Sequence, residues 1–415
     1  MDQLPQKQTH FASLFASILF ALSGLFLLGI GLLMGLAALM VLSTGQPVQA
    51  PQTIYFVALS FEAVLLFAAA FFALQKNLHK PSADRPSFLS LSHMQIVVGL
   101  LVAAGVILIG RLIGAIEPVN WLLLPILTIP AVVLPLGMLT ALGTQKLPLG
   151  RRWQTWSVLG LSMTLIPLFL LVLEAVLGLI MFIVAAAFLM LQPERAELES
   201  VLRQIMILGP QSEAALDLLS PFLTRPDVII MALIYIAVLV PAIEELFKPL
   251  GVWLLARKLD SAAQGFTLGA LSGAGYALIE TIGVTGQQGD WASLLFTRIG
   301  TGLLHITTSA LMGAAIVLAW RERGYVRLLG TYLLAVLLHG LWNAFAMLYA
   351  FSTLAEILNQ TGRLATLQVP LIVVMSILAV TLLVVLILSN RRMQRLLAPP
   401  PTESSLPAES MDQGS

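Results

Sequence analysis

The chain has 415 residues, of which 58% are hydrophobic and only 10% are charged. A soluble domain usually has about 25% charged residues, so this composition indicates an integral membrane protein. The formal net charge is +1, which argues against nucleic acid as a partner. The sequence contains no cysteine, so it has no disulfide framework, no thiolate chemistry and no cysteine-ligated metal.

Windows of about 20 apolar residues mark the candidate membrane spans. The first is too long for the apolar region of a secretory signal, so we expect it to be retained. The sequence as a whole predicts an all-α, polytopic transmembrane bundle of about ten spans. The predicted spans are 11–42, 54–74, 95–116, 121–142, 156–191, 227–256, 265–284, 292–320, 325–350 and 369–388.

Polarity divides the chain into five segments. Residues 1–191 form an apolar scaffold with about five spans, and residues 192–226 are an amphipathic segment expected outside the hydrocarbon as a helix or helical hairpin. Residues 227–350 contain most of the ionisable groups at depth and are the predicted catalytic core. Residues 351–390 provide a loop and the last span, and the Pro/Ser-rich segment 391–415 is a predicted disordered cytoplasmic tail.

Lysine and arginine are concentrated in alternate loops between the predicted spans. By the positive-inside rule, both termini should be cytoplasmic. Arg257 and Lys258 end the sixth predicted span. We therefore expect the charged motif within that span to lie in the cytoplasmic half of the membrane.

That motif consists of Glu244, Glu245 and Lys248, near the middle of an apolar run. Ionised side chains at bilayer depth cost roughly 2.5–3.5 kcal/mol each on insertion scales, so such a cluster is a functional-site hypothesis. On an α-helix Lys248 lies one turn from both glutamates, and pairing with either would leave the other free. Pro241 and Pro249 bracket the motif and predict local kinks. A purely structural ion pair is the alternative interpretation.

The seventh span has glycines at four-residue spacing, at Gly265, Gly269 and Gly273, and Glu280 near its end. Small residues at this spacing permit close contact between membrane helices. We therefore expect this span to pack tightly against a neighbour.

The eighth and ninth spans add His305, His339 and Asn343, the last two being one turn apart on one face. A glutamate can act as general base, two imidazoles can orient water or bind a metal, and an amide can donate to an oxyanion. Two histidines and a glutamate are also a known catalytic zinc arrangement, so His305, His339 and Glu245 are candidate ligands of a divalent metal such as zinc. Metal-free and metal-assisted activation of water both stay open.

Four segments on successive spans, PAIEELFKPLGVW, GAGYALIET, LLHITTSALMG and LLHGLWNAF, resemble the PrsW family of intramembrane proteases. That family is related to the CAAX prenyl protease and bacteriocin-processing superfamily. The resemblance covers roughly residues 227–350 and implies that Glu244 and Glu245 are the paired catalytic glutamates. It also implies a bacterial-type cell membrane and a regulatory membrane protein as substrate.

The same resemblance assigns Glu280 to the second motif, where the family usually has asparagine next and this chain has Thr281. It matches His305 and His339 to the two family histidines and Asn343 to the residue one turn beyond the second. Together these residues predict an intramembrane endopeptidase that cleaves membrane-embedded or juxtamembrane protein substrates. In it, Lys248 would determine which glutamate stays charged.

Two other functions suit an intramembrane cluster of this kind. A proton-coupled secondary transporter also uses glutamate and histidine at depth, but it should show inverted repeats in both halves. The polarity of this chain is concentrated in one half, which weighs against a transporter. A non-catalytic membrane scaffold of the same fold would keep these groups for packing alone.

Overall fold

The computed structural model describes residues 10–87, 89–192, 195–209, 213–223, 225–286, 291–357 and 365–397. These residues form helices and their connections, and no strand occurs among them. The α-helices are α1 Phe11–Ser43, α2 Ala50–Asn77, α3 His93–Gly114, α4 Glu117–Gly143, α5 Arg152–Met163, α6 Leu165–Met190, α7 Arg195–Leu208, α8 Glu213–Leu223, α9 Pro226–Ile234, α10 Val240–Phe247, α11 Leu250–Leu255, α12 Ala262–Thr285, α13 Trp291–Glu322, α14 Tyr325–Ile357 and α15 Gln368–Leu397.

Nine helical runs in the described part of the chain are long and apolar enough to cross a bilayer. One run, Arg152–Met190, comprises α5 and α6, and another, Pro226–Lys258, comprises α9 to α11. The remaining predicted span corresponds to α12, which has 24 residues but is rich in glycine and mostly buried. The prediction of a polytopic helical bundle of about ten spans is therefore confirmed.

The fifth predicted span is not one continuous helix, because it breaks at Thr164 between α5 and α6. Pro167 lies in the first turn of α6 and cannot donate a backbone hydrogen bond to Met163, which favours a break immediately before it. The Thr164 hydroxyl instead donates to the carbonyl of Gly160 at 2.7 Å. A hydropathy window does not detect such a break, since no charged residue interrupts the predicted span near Thr164.

The sixth span is interrupted twice. A π-helical turn, Tyr235–Leu239, separates α9 from α10, and α10 ends just before Lys248 and Pro249. The interruption at Pro249 exposes carbonyl groups that side chains satisfy: the Trp253 indole donates to Leu246 O at 3.1 Å, and the Ser272 hydroxyl donates to Lys248 O at 2.6 Å. The kink predicted at Pro249 is present, with its backbone groups satisfied from nearby helices.

The pair α12 and α13 is closely packed, as the glycine spacing predicts. A Cβ atom added at any of the three spaced glycines of α12 would overlap the α13 backbone. The glycines and the α13 carbonyls that they face are Gly265 with Gly313, Gly269 with Ser309, and Gly273 with His305.

The main apolar core surrounds this pair. Phe266 of α12 and Leu304 of α13 are fully buried, and side chains from α2, α3, α4, α14 and α15 complete the cluster. A smaller cluster joins α7 to α8. These two amphipathic helices occupy the segment expected to be a helical hairpin, and its position outside the hydrocarbon stays a prediction.

The last helix, α15, continues to Leu397. Residues 391–397, which were expected to be disordered, are therefore helical. The Asn390 amide donates to Gly143 O at 2.8 Å and to Gln145 O at 3.0 Å, which holds this end of α15 against the end of α4. The rest of the predicted tail, 398–415, lies outside the described residues.

Candidate active site

The centre of the site is the ammonium group of Lys248, whose side chain is 0% exposed. Its Nζ donates to Glu245 Oε1 at 2.7 Å and lies 3.1 Å from Glu244 Oε2. It also lies 2.8 Å from His305 Nδ1 and 3.4 Å from His339 Nδ1. Lys248 thus bridges both glutamates, whereas the helix spacing alone suggested a pair with one of them.

His339 lies between the two glutamates. Its Nδ1 is 2.8 Å from Glu245 Oε1, and its Nε2 is 3.9 Å from Glu244 Oε2. An ionised carboxylate only accepts hydrogen bonds, so this contact places the ring hydrogen on Nδ1. The lone pair on Nε2 then faces Glu244.

His305 has a similar arrangement. Its Nε2 is 2.8 Å from Glu280 Oε2, which leaves the Nδ1 lone pair to accept from Lys248. Arg298 holds Glu280 from the other side, through contacts of 3.0 and 2.7 Å. Arg298 also donates to the hydroxyl of Thr281 at 3.2 Å. Thr281, the departure from the family pattern, therefore helps to hold the arginine.

Exposure differs across the site. The Glu280 side chain is 36% exposed, whereas the side chains of Glu244, Glu245, His305 and His339 are at most 8% exposed. Glu280 is therefore the most exposed member of the cluster.

Three side chains can together hold a metal ion. One carboxylate oxygen of Glu244 and one ring nitrogen each of His305 and His339 lie within 4.8 Å of one another, and all three residues are buried. Each histidine is bound through its other nitrogen to a carboxylate, Glu280 or Glu245, as is usual for metal-ligating histidines.

This donor set fits a zinc ion by its chemistry. Two details differ from the sequence interpretation. The carboxylate in the set is Glu244, while Glu245 is engaged by Lys248 and His339. Lys248 Nζ also contacts donors of the set, so a metal ion and this ammonium would compete for them.

Asn343 lies one turn after His339 but is directed to a different partner. Its Nδ2 donates to Ile236 O, in the π-helical turn, at 3.0 Å. A π turn leaves backbone carbonyls without regular partners, and this amide satisfies one of them. The role of Asn343 as an oxyanion donor stays a prediction.

The depth of the site follows from the helix positions. At 1.5 Å per residue, Glu245 lies about 20 Å before Lys258, and His305 lies about 21 Å after Trp291. Each distance is close to half of its own helical run. The site is therefore near the middle of the spans, and its location in the cytoplasmic half of the membrane stays a prediction.

Comparison with protein families gives a match to the profile of the PrsW family intramembrane metalloproteases over residues 166–381. The chain belongs to the PrsW family. Comparison with curated proteins and with solved structures gives no match. The PrsW match begins in the first turn of α6 and ends within α15, so it extends on both sides of the predicted core 227–350.

The PrsW site also contains residues that sequence reasoning passed over. Arg298 is one of them, and it binds Glu280 directly. The available signal was an arginine within an apolar span whose neighbouring span carries an unpaired glutamate. Tyr276 is another; its ring packs edge-on against His305, with centroids 5.3 Å apart, and lies 5.3 Å from Lys248 Nζ.

Proposed function

We propose that this PrsW-family chain is an intramembrane endopeptidase that hydrolyses peptide bonds in membrane-embedded or juxtamembrane segments of protein substrates. The observation that carries the proposal is the convergence of Glu244, His305 and His339 within 4.8 Å, buried and near mid-span. A buried acid and two oriented imidazoles are the groups that activate water for attack on an amide carbonyl.

Glu244 is the proposed general base. The neighbouring Glu245 has one oxygen, Oε1, in contact with both Lys248 and His339, while Glu244 Oε2 is buried without a hydrogen-bond donor apart from its ion pair with Lys248. Glu244 would take a proton from water as the oxygen attacks the carbonyl carbon. The same proton would then pass to the leaving amine nitrogen as the carbon–nitrogen bond breaks.

The surrounding groups hold this arrangement. Glu280, itself held by Arg298, orients His305, and Glu245 orients His339. Lys248 provides positive charge beside both catalytic carboxylates. The Asn343 amide has two N–H groups, of which one donates to Ile236 O. The other is the proposed oxyanion donor.

A divalent metal such as zinc would be held by Glu244, His305 and His339. When bound, it would supply a Lewis acid that lowers the pKa of water and polarises the carbonyl. Lys248 would then pair with Glu245 alone. With or without the ion, the orientation of both rings depends on the carboxylates behind them.

The protein is an integral membrane protein with α1 to α15 arranged as a helical bundle. We further propose that both termini are cytoplasmic, on the distribution of basic loops. The proposed partner is a regulatory membrane protein, an assignment that derives from the PrsW family alone.

Proteolysis of a membrane-protein library by the purified protein in vesicles, with and without a chelator, tests the proposal. Once a substrate is found, Glu244→Gln, Glu245→Ala and His339→Ala should each reduce its cleavage by at least about 100-fold, with helical content unchanged by circular dichroism. Glu62→Gln is the matched control, because Glu62 is a buried carboxylate of α2. Full cleavage by any of the three site variants would contradict the assigned roles.

A further inference from the structure

Helix α6 lies in the segment that the sequence assigned to the membrane scaffold, yet its inner face reaches the site. Ile166 and Leu170 are buried against Tyr276, the aromatic ring that packs edge-on against His305. Glu174 follows Leu170 by one helical turn and lies on the same face. The α6 surface that packs against the catalytic helices therefore includes a carboxylate.

Backbone contacts fix the position of Glu174. The Tyr235 hydroxyl donates to Glu174 O at 2.8 Å, and a Cβ atom added at Gly178, one turn later, would lie 3.0 Å from the same hydroxyl. Tyr235 begins the π-helical turn that leads into α10. Helix α6 is thus held against the element that positions Glu244.

The Glu174 carboxyl group is close enough to the Glu244 carboxyl group to interact with it. Glu174 Oε1 is buried without a hydrogen-bond donor, and Glu244 Oε2 has no donor apart from its ion pair with Lys248. Two carboxyl groups in contact are stable only when a proton, a water molecule or a cation lies between them. Each of these would restrict the orientation of Glu244.

We propose that Glu174 is a positioning residue of this active site, which binds Glu244 and fixes the orientation of its carboxylate toward water or metal. The catalytic importance of this contact rests on the proposed function. It also makes α6 part of the active site. Loss of a group that orients a ligand or a base typically costs 10- to 100-fold in metal affinity or activity.

A double-mutant cycle tests the contact without reference to activity. Glu174→Ala, Glu244→Ala and the double variant are compared with the parent protein by thermal unfolding in detergent. Residues in contact give non-additive shifts, whereas distant residues give additive ones. The pair Glu62 and Glu244 is the control and should be additive. Additive shifts for Glu174 and Glu244 would overturn the proposal.

The positioning role is then measured by function and by metal binding. Glu174→Ala should lower kcat about 10- to 100-fold with KM little changed and should weaken Zn²⁺ binding, measured by competition with a chromophoric chelator, by a similar factor. Glu174→Gln should recover most of the loss, because an amide can donate a hydrogen bond to Glu244. A glutamine variant as impaired as the alanine variant would instead indicate direct proton transfer by Glu174.

The two proposals fail in different ways. If Glu174 and Glu244 are coupled in the unfolding cycle but Glu244→Gln cleaves at the parental rate, the protease mechanism is wrong and the contact stands. If Glu244→Gln is inactive while Glu174→Ala cleaves and binds Zn²⁺ as well as Glu62→Ala does, the mechanism stands and Glu174 has no positioning role.

Discussion

The substitution Gly273→Ala should separate α12 from α13 at His305. A Cβ atom at Gly273 would lie 2.6 Å from the carbonyl carbon of His305 and 3.0 Å from Cα of Ile306. Ordinary contacts between carbon atoms are about 3.5–4.0 Å, so the helices must move apart by about 1 Å. The contact between His305 and Glu280 joins these same two helices. A displacement of about 1 Å in a catalytic group costs on the order of 100-fold in rate.

The assay is the cleavage rate of the identified substrate in vesicles, beside circular dichroism and the unfolding temperature in detergent. Gly283→Ala is the matched control, because a Cβ at this α12 glycine meets nothing within 4 Å. It should retain the parental rate, and Gly273→Ala should lose about 100-fold while staying helical. A parental rate for Gly273→Ala would refute the idea that this close helix contact sets the position of His305.

Lys248→Met removes the ammonium that occupies the metal donors. Zn²⁺ should therefore bind this variant at least about 10-fold more tightly in the chelator competition, whereas Lys258→Met should leave the affinity unchanged. Equal Zn²⁺ affinities of Lys248→Met and the parent protein would contradict the competition between metal and Lys248. Outside the spans, burial raises the pKa of Asp84, but hydrogen bonds from Lys76 and Arg151 outweigh this and hold it below its ordinary value. The contribution of ionised Asp84 to the stability of the fold is present above the ordinary aspartate pKa and is lost as the pH falls through the lowered pKa. Asp84→Asn should therefore lower the unfolding temperature slightly at pH 7, a change that corresponds to less than about 1 kcal/mol of stability, and should have a smaller effect near pH 3. An equal effect at both pH values would contradict it.

Much of this site follows from one regularity, that ionisable groups are costly in a membrane unless they meet one another. That principle selected Glu244, Glu245, Lys248, His305 and His339 from the sequence, and the structure brings these five together. The close pairing of α12 with α13 likewise followed from glycine spacing.

What could not be predicted depends on the rotation of each helix about its axis. The spacing of Glu244 and Glu245 predicts that they lie on adjacent faces of the helix. Only the packing of the helices determines that Glu244 lies with the two histidines as a candidate metal ligand. The same holds for Arg298, which becomes part of the site because α12 and α13 place it opposite Glu280. The break at Thr164 lies close to one proline, Pro167, in a predicted span that has no charged residue nearby.

The π-helical turn Tyr235–Leu239 has a consequence for how the sixth span is solvated. Ile230, Ile234, Val238 and Leu246 are all exposed, at positions separated by four residues or a multiple of four. In a regular α-helix each step of four residues overshoots a full turn by about 40°, so Leu246 would be rotated about 160° from Ile230. The extra residue of a π turn offsets about 100° of this drift. The span can therefore keep one lipid-facing side along this length, with Glu244, Glu245 and Lys248 directed away from the acyl chains.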